Sequence, residues 1–229
     1  MFHVTNTIKK LPWFILGASI FFTPILAEPS AEEVFTYMYK HKQFGKNSKG
    51  EAHSGGGSTM ERTALYREFL QEFLKVFNIH SVVDMGCGDW EFSQAIDWSG
   101  IDYKGYDVVK SVINKNRKKY ETDHIHFKQC DGVYEELPIA DLLICKDVLQ
   151  HLPNEDILAF IQQLPKFKYC LITNDVDPIT ETSSNPNIKR GGFRPVDLTQ
   201  PPFSLKGIKI LTYMSDTVPK QVLLIKSEN

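Results

Sequence analysis

The chain predicts an α/β fold: a doubly wound, seven-stranded, mostly parallel sheet whose last two strands form an antiparallel pair. Three observations carry this. Short apolar strand candidates alternate with helical patterns between residues 81 and 174, as βαβ units with right-handed crossovers require. The first strand candidate runs straight into the glycine loop Asp84-Met85-Gly86-Cys87-Gly88-Asp89. The last two, at 208–213 and 221–225, are separated by only a short turn near Ser215-Asp216. They can pair only as antiparallel neighbours, because a parallel return needs a crossover of about a dozen residues.

The elements follow in order. Residues 28–40 suit a short helix, and 43–59 are polar, rich in Gly and Ser, and read as a flexible loop. A helix is expected over 60–77, where Leu65, Phe69, Phe73 and Val76 recur at three- and four-residue steps. Strands are expected at 81–85, 103–108, 125–127, 140–145 and 169–174. Helices are expected over 92–98, 109–120 and 154–164, the last opening on Asn154-Glu155-Asp156, a capping residue followed by acidic ones. A long proline-rich loop occupies 175–203; a loop of that length inside a compact domain is usually functional or disordered.

The 229 residues are enough for one domain with a substantial core, expected over 60–229. Basic and acidic residues nearly balance, 26 against 28, so nothing suggests a nucleic-acid surface. Residues 1–27 stand apart. Lys9 and Lys10 precede an apolar run broken by Pro12 and Pro24 and ending at Ala27 before acidic residues. That is the pattern of an export signal, with an uncleaved membrane anchor as the competing reading. The four cysteines, Cys87, Cys130, Cys145 and Cys170, each sit in or beside an apolar strand, so buried free thiols are expected.

A sheet of this type binds its ligand at the carboxyl ends of its strands, where the strand order reverses. Gly86 and Gly88 allow a tight turn there, and a helix after them would aim its amides at the ligand. A dinucleotide fingerprint needs a third glycine at position 91, which is Glu91, and an acidic side chain there would repel a pyrophosphate.

The segment Asp84-Met85-Gly86-Cys87-Gly88 resembles the first motif of the Rossmann-like (class I) S-adenosylmethionine-dependent methyltransferases. Three further matches follow in order: Gly105-Tyr106-Asp107, Cys130-Asp131-Gly132, and the fourth-strand stretch from Asp141 to Leu152. The resemblance covers roughly residues 60–229 and implies S-adenosylmethionine as cofactor, held by Asp84, Gly86, Gly88, Asp107, Asp131 and Cys145. It implies that Asp107 accepts hydrogen bonds from the ribose hydroxyls and that Asp131 contacts the adenine amino group. No metal site is expected.

Lys146 at the strand end and His151 are the candidate catalytic residues, and Arg194 in the long loop is a candidate substrate contact. A structural role for His151 competes with the catalytic one and is the more common at such a position, and Asp147 can cap the following helix. The segment 54–59 with Arg62 either holds the cofactor carboxylate, closes over the site or is a plain linker. Pro201-Pro202-Phe203 is similar to a motif of nucleic-acid amino-methyltransferases but lies far from the fourth strand that the motif must follow. Three functions stay open: a small-molecule methyltransferase, an exported protein methyltransferase, and a non-catalytic cofactor-binding domain.

Overall fold

The computed structural model describes Met1 and residues 28–47, 50–176 and 185–227. The expected signal or anchor lies almost wholly outside the described residues, among which no helix is long and apolar enough to cross a membrane. Helix α1 spans Ala31–Lys40. It starts where Ser30 Oγ accepts the Glu33 amide and the Glu33 carboxylate accepts the Ser30 amide, satisfying two donors that a helix start leaves open. Helix α2, Ala64–Val76, buries Tyr66, Leu70, Phe73 and Leu74 along one stripe. Then come β1 (Ser81–Met85), β2 (Asp102–Asp107), α3 (Lys110–Tyr120), β3 (Ile125–Gln129), β4 (Ala140–Lys146), α4 (Asn154–Ile161), β5 (Phe167–Asp175), β6 (Ile208–Ser215) and β7 (Val218–Lys226).

The seven strands form one sheet in the order β3-β2-β1-β4-β5-β7-β6. The first five are parallel, and β7 runs antiparallel to both β5 and β6. The order reverses between β1 and β4. Strand alternation sends Val82 of β1 and Leu142 and Ile144 of β4 into a core under α2 and α3. Val83, Met85, Leu143 and Cys145 point into the opposite core, under α4. Each such buried aliphatic side chain contributes about 1.5–3 kcal/mol.

Three local expectations change. Residues 92–98 form one 3-10 turn, Ser93–Ala95, in place of a helix. Trp90, Phe92 and Trp98 are all buried there, and the Ser93 carbonyl accepts both the Ile96 amide and Trp98 Nε1 (2.9 Å). Burying three large rings outweighs helix propensity, so the glycine loop has no helix N-terminus behind it. The Gly/Ser segment is not a free loop: Lys46 and Ala52 form a β-bridge, and Gly56–Ser58 is a 3-10 turn. At the start of α4, Pro153 occupies the cap position, and the Asn154 side chain is used elsewhere, donating to the Asn185 carbonyl and accepting from Arg194. All four cysteines are buried and free.

Candidate functional site

A cavity of about 290 Å³ opens at the carboxyl ends of β1, β2, β4 and β5, at the reversal of strand order. Its floor is the glycine loop. Gly86 (φ 76°) and Gly88 (φ 54°) lie in the left-handed region, and both are crowded. A Cβ on Gly86 would lie 2.3 Å from Val148, and one on Gly88 would lie 2.3 Å from Ser54 Oγ. No residue with a side chain fits there without moving the roof or the turn after β4.

One wall is acidic. Asp84, at the end of β1, is buried and accepts a 2.5 Å hydrogen bond from the Tyr103 hydroxyl on β2. Burial pushes its carboxyl up, the Tyr103 bond opposes, and the balance stands at about 7. Asp107 ends β2. Its two oxygens accept the Gly88 amide (3.1 Å) and the Val109 amide (2.9 Å), which ties the glycine loop to the second strand. Burial raises this carboxyl to about 6 against those amides. Asp131 follows β3, lines the cavity, and is held by the amides of Val133 and Tyr134.

The opposite wall is built around buried charges. Asp147, in left-handed backbone (φ 60°) just after β4, caps no helix. Its carboxylate takes Lys146 Nζ (2.5 Å) on one oxygen and Lys220 Nζ (2.8 Å) on the other. Lys220, from β7, also pairs with Asp175 at the end of β5. Burial pushes the Asp147 carboxyl up, but the two ammonium groups overcome it and hold it below the usual range. The Lys220 ammonium is disfavoured by burial and raised overall by Asp147 and Asp175. The four residues sum to zero formal charge.

The 3-10 turn Leu149–His151 places Gln150 and His151 on the cavity wall. His151 Nδ1 lies 2.9 Å from the Gly192 carbonyl, which can only accept. The proton therefore sits on Nδ1 and leaves a lone pair on Nε2. Burial lowers the His151 pKa, so the ring is neutral at physiological pH. Phe44 packs edge-on against the imidazole at 5.5 Å between centroids, and Phe193 lies at 5.8 Å.

The roof comes from the N-terminal segment. Phe35 and Tyr39 of α1, Phe44 and residues 54–58 all line the cavity. Ser54 and Asp89 exchange hydrogen bonds, the Ser54 amide to the carboxylate (3.2 Å) and the Asp89 amide to Ser54 Oγ (2.7 Å). The Tyr39 hydroxyl joins Ser54 Oγ at 2.7 Å. Lys146 Nζ donates to the Gly57 carbonyl at 2.8 Å. The segment lines the cavity and is tied over it, so the plain-linker reading does not hold.

The expected site residues separate accordingly. Asp84, Gly86, Gly88, Asp107, Asp131, Lys146 and His151 meet around one cavity. Cys145 does not line it: strand alternation turns its thiol away, into the core beside Met85 Sδ (3.9 Å). Arg194 does not face the cavity either. Its buried guanidinium donates to the Leu149 carbonyl (3.2 Å) and to Asn154 Oδ1 (2.7 Å), so it braces the turn that carries His151 from behind. Arg62 pairs with Asp216 at 2.7 Å and is not among the residues that line the cavity. Sequence reasoning missed Asp175 and Lys220, which carry no motif, the aromatic roof, and Gln150, which stood in the fourth-strand stretch without an assigned role. Asp89 stood in the glycine motif and was passed over.

Residues 83–166 match the family model of a methyltransferase domain. No curated protein sequence matches the chain. Among solved structures, it is similar to magnesium protoporphyrin IX methyltransferase of Synechocystis PCC 6803 with bound S-adenosylhomocysteine: 15% identity, TM-score 0.60, covering 86% of this chain and 98% of that one. It is also similar to an N-methyltransferase of Bradyrhizobium japonicum WM9 in complex with S-adenosyl-L-homocysteine: 12% identity, TM-score 0.54, covering 72% of this chain and 87% of that one. At these identities the likeness is one of fold.

Proposed function

We propose that the chain is a Rossmann-like S-adenosylmethionine-dependent methyltransferase, on the methyltransferase-domain match over residues 83–166 and the shared fold, and that its acceptor is a small molecule. The observation that carries this is the roof. The segment of α1 and residues 54–58 is tied to Asp89 on one side and to Lys146 on the other, so it covers part of the cavity mouth and narrows the approach for an extended polypeptide.

The residues present fit the cofactor. Asp89 Oδ1 is buried on the cavity wall with no donor among the described residues, and Asp84 and Asp107 add two more carboxyls nearby. Such a wall suits a ligand with positive groups and hydroxyl donors, and it opposes a pyrophosphate. Asp107 would accept ribose hydroxyls, Asp131 would meet the adenine, and Gly86 and Gly88 would let the backbone approach. S-adenosylmethionine supplies an electrophilic methyl carbon on sulfur. The protein's contribution is to align the acceptor with that carbon and to keep water out. Lys146 acts as a positioning residue that clamps the roof, since two of its three protons go to Asp147 and Gly57.

Calorimetry of the protein with S-adenosylmethionine and with NADH tests the cofactor: binding of NADH alone would sink the reading. Incubation with cell extract and methyl-labelled S-adenosylmethionine tests the acceptor. Label in the small-molecule fraction is expected, and label confined to protein would favour a protein substrate. The N-terminal segment 1–27 is proposed to direct export or membrane attachment, which cell fractionation of the full chain against a version lacking it would check.

A further inference from the structure

Resting on the methyltransferase reading, we propose that the acceptor is a planar aromatic compound carrying a hydroxyl group, that His151 Nε2 removes the hydroxyl proton, and that the Gln150 amide donates to an oxygen of the same acceptor.

Four features of the acceptor wall point there. The first is the base. The Gly192 carbonyl fixes the His151 tautomer, so the lone pair is on Nε2 of a ring lining the cavity. The second is an unpartnered donor. Gln150 Oε1 accepts the Asp175 amide at 2.8 Å, which orients the side-chain amide. Its Nε2 then has no partner among the described residues, although the residue is only 4% exposed and lines the cavity. That donor faces the cavity and is free to bond a ligand oxygen there.

The third feature is charge. Lys146 and Lys220 are matched by Asp147 and Asp175, so no net cation remains to hold a carboxylate or phosphate acceptor. A neutral acceptor with a removable proton fits. An aryl hydroxyl, with a pKa near the ~10 of tyrosine, is within reach of an imidazole base; an alkyl hydroxyl, with a pKa near the ~16 of water, is not. The fourth feature is shape. Phe35, Tyr39, Phe44 and Phe92 line the space, and aromatic rings pack best against another flat ring.

The step balances. The aryl oxygen forms a bond to the methyl carbon while the carbon–sulfur bond breaks, and that electron pair stays on sulfur, discharging the sulfonium. The hydroxyl proton goes to His151 Nε2 and then to solvent. Burial opposes the resulting imidazolium most, which speeds its loss of the proton to solvent; the Gly192 carbonyl, Asp147 and Asp175 favour it, Lys220 opposes it, and Phe44 and Phe193 flank it.

The test uses the full chain, methyl-labelled S-adenosylmethionine and three probes of similar size: 2-naphthol, 2-naphthylamine and decahydro-2-naphthol. Label is expected in 2-naphthol alone. His151→Asn should lower that rate by about 100-fold or more. Gln150→Glu keeps the oxygen that the Asp175 amide needs and removes the donor, so it should raise KM for 2-naphthol by about tenfold with a smaller change in kcat. Both variants should bind S-adenosylhomocysteine like the wild type. Should His151→Asn fail to fold, the wild-type pH profile decides: the rate should level off above the His151 titration. A rate that keeps rising as 2-naphthol itself ionises overturns the assignment of the base. Wild-type protein that does not bind S-adenosylhomocysteine sinks the methyltransferase reading. Protein that binds it but methylates the amine, the saturated alcohol or none of the probes sinks only the acceptor assignment.

Discussion

The two walls of the cavity are built on different principles. The acidic wall comes from three strand ends, with Asp84 and Asp107 among the last residues of β1 and β2 and Asp131 just after β3. Each group there is fixed by backbone amides or one neighbouring side chain. The opposite wall gathers Lys146, Asp147, Asp175 and Lys220 from β4, β5 and β7, and 73 residues separate Asp147 from its partner Lys220. Local turns hold the first wall, and mutual neutralisation of buried charges holds the second. The acidic wall is therefore expected to govern cofactor affinity, and the charged wall to govern stability and the acceptor.

The sharpest way to break that contrast is Lys220→Met. It leaves the buried Asp175 carboxyl without its ammonium and Asp147 with one cation in place of two. Urea denaturation should show a loss of about 3–5 kcal/mol, while calorimetry on the folded fraction should show cofactor affinity little changed. Loss of affinity with stability intact would mean that the two walls are not separable. Next is Asp107→Ala. It removes the acceptor of the Gly88 and Val109 amides together with the proposed ribose contact. Affinity for S-adenosylhomocysteine should fall by at least about 30-fold, or about 2 kcal/mol; unchanged binding would reject the site.

A smaller effect comes from pH. Asp84 and Asp107 ionise at about 7 and about 6, so both carry charge at pH 8 and both take up protons on the way to pH 5.5. Affinity for the sulfonium cofactor should fall on acidification, on the order of tenfold, and a flat profile would remove those carboxylates from cofactor binding. Smallest is Tyr103→Phe, which deletes one buried hydrogen bond to Asp84 and should cost about 1 kcal/mol in stability. That bond lowers the Asp84 pKa, so its loss should move the pH transition in cofactor affinity upward.

The legibility of each wall in the sequence follows the same division. The acidic wall was readable because glycine spacing and strand-end aspartates act over a few residues. Asp107 could be placed from Gly105-Tyr106-Asp107 and its distance from the first motif. His151 was readable as a candidate, but its tautomer depends on the Gly192 carbonyl, 41 residues away. Arg194 looked like a ligand contact because it sits in a long loop. Its burial behind the Leu149–His151 turn reflects how that loop folds back, through the Gly191 amide to the His151 carbonyl and the Arg194 amide to the Gln150 carbonyl. Cys145 was misplaced because position in a strand does not say which face a side chain takes until the register is known.

The sequence by itself determined the sheet, its antiparallel end and the glycine floor, since apolar periodicity, turn length and glycine placement are local constraints. It also put an acidic residue, Glu91, where a dinucleotide fingerprint needs glycine. The tertiary structure alone decided that residues 92–98 give up their helix to bury three aromatic rings, that the Gly/Ser segment becomes a roof, and that Lys146 is held by Asp147 and the Gly57 carbonyl. Those outcomes depend on which distant groups meet in a medium where an unpaired charge or an unpartnered amide is costly, and local sequence does not carry that pairing.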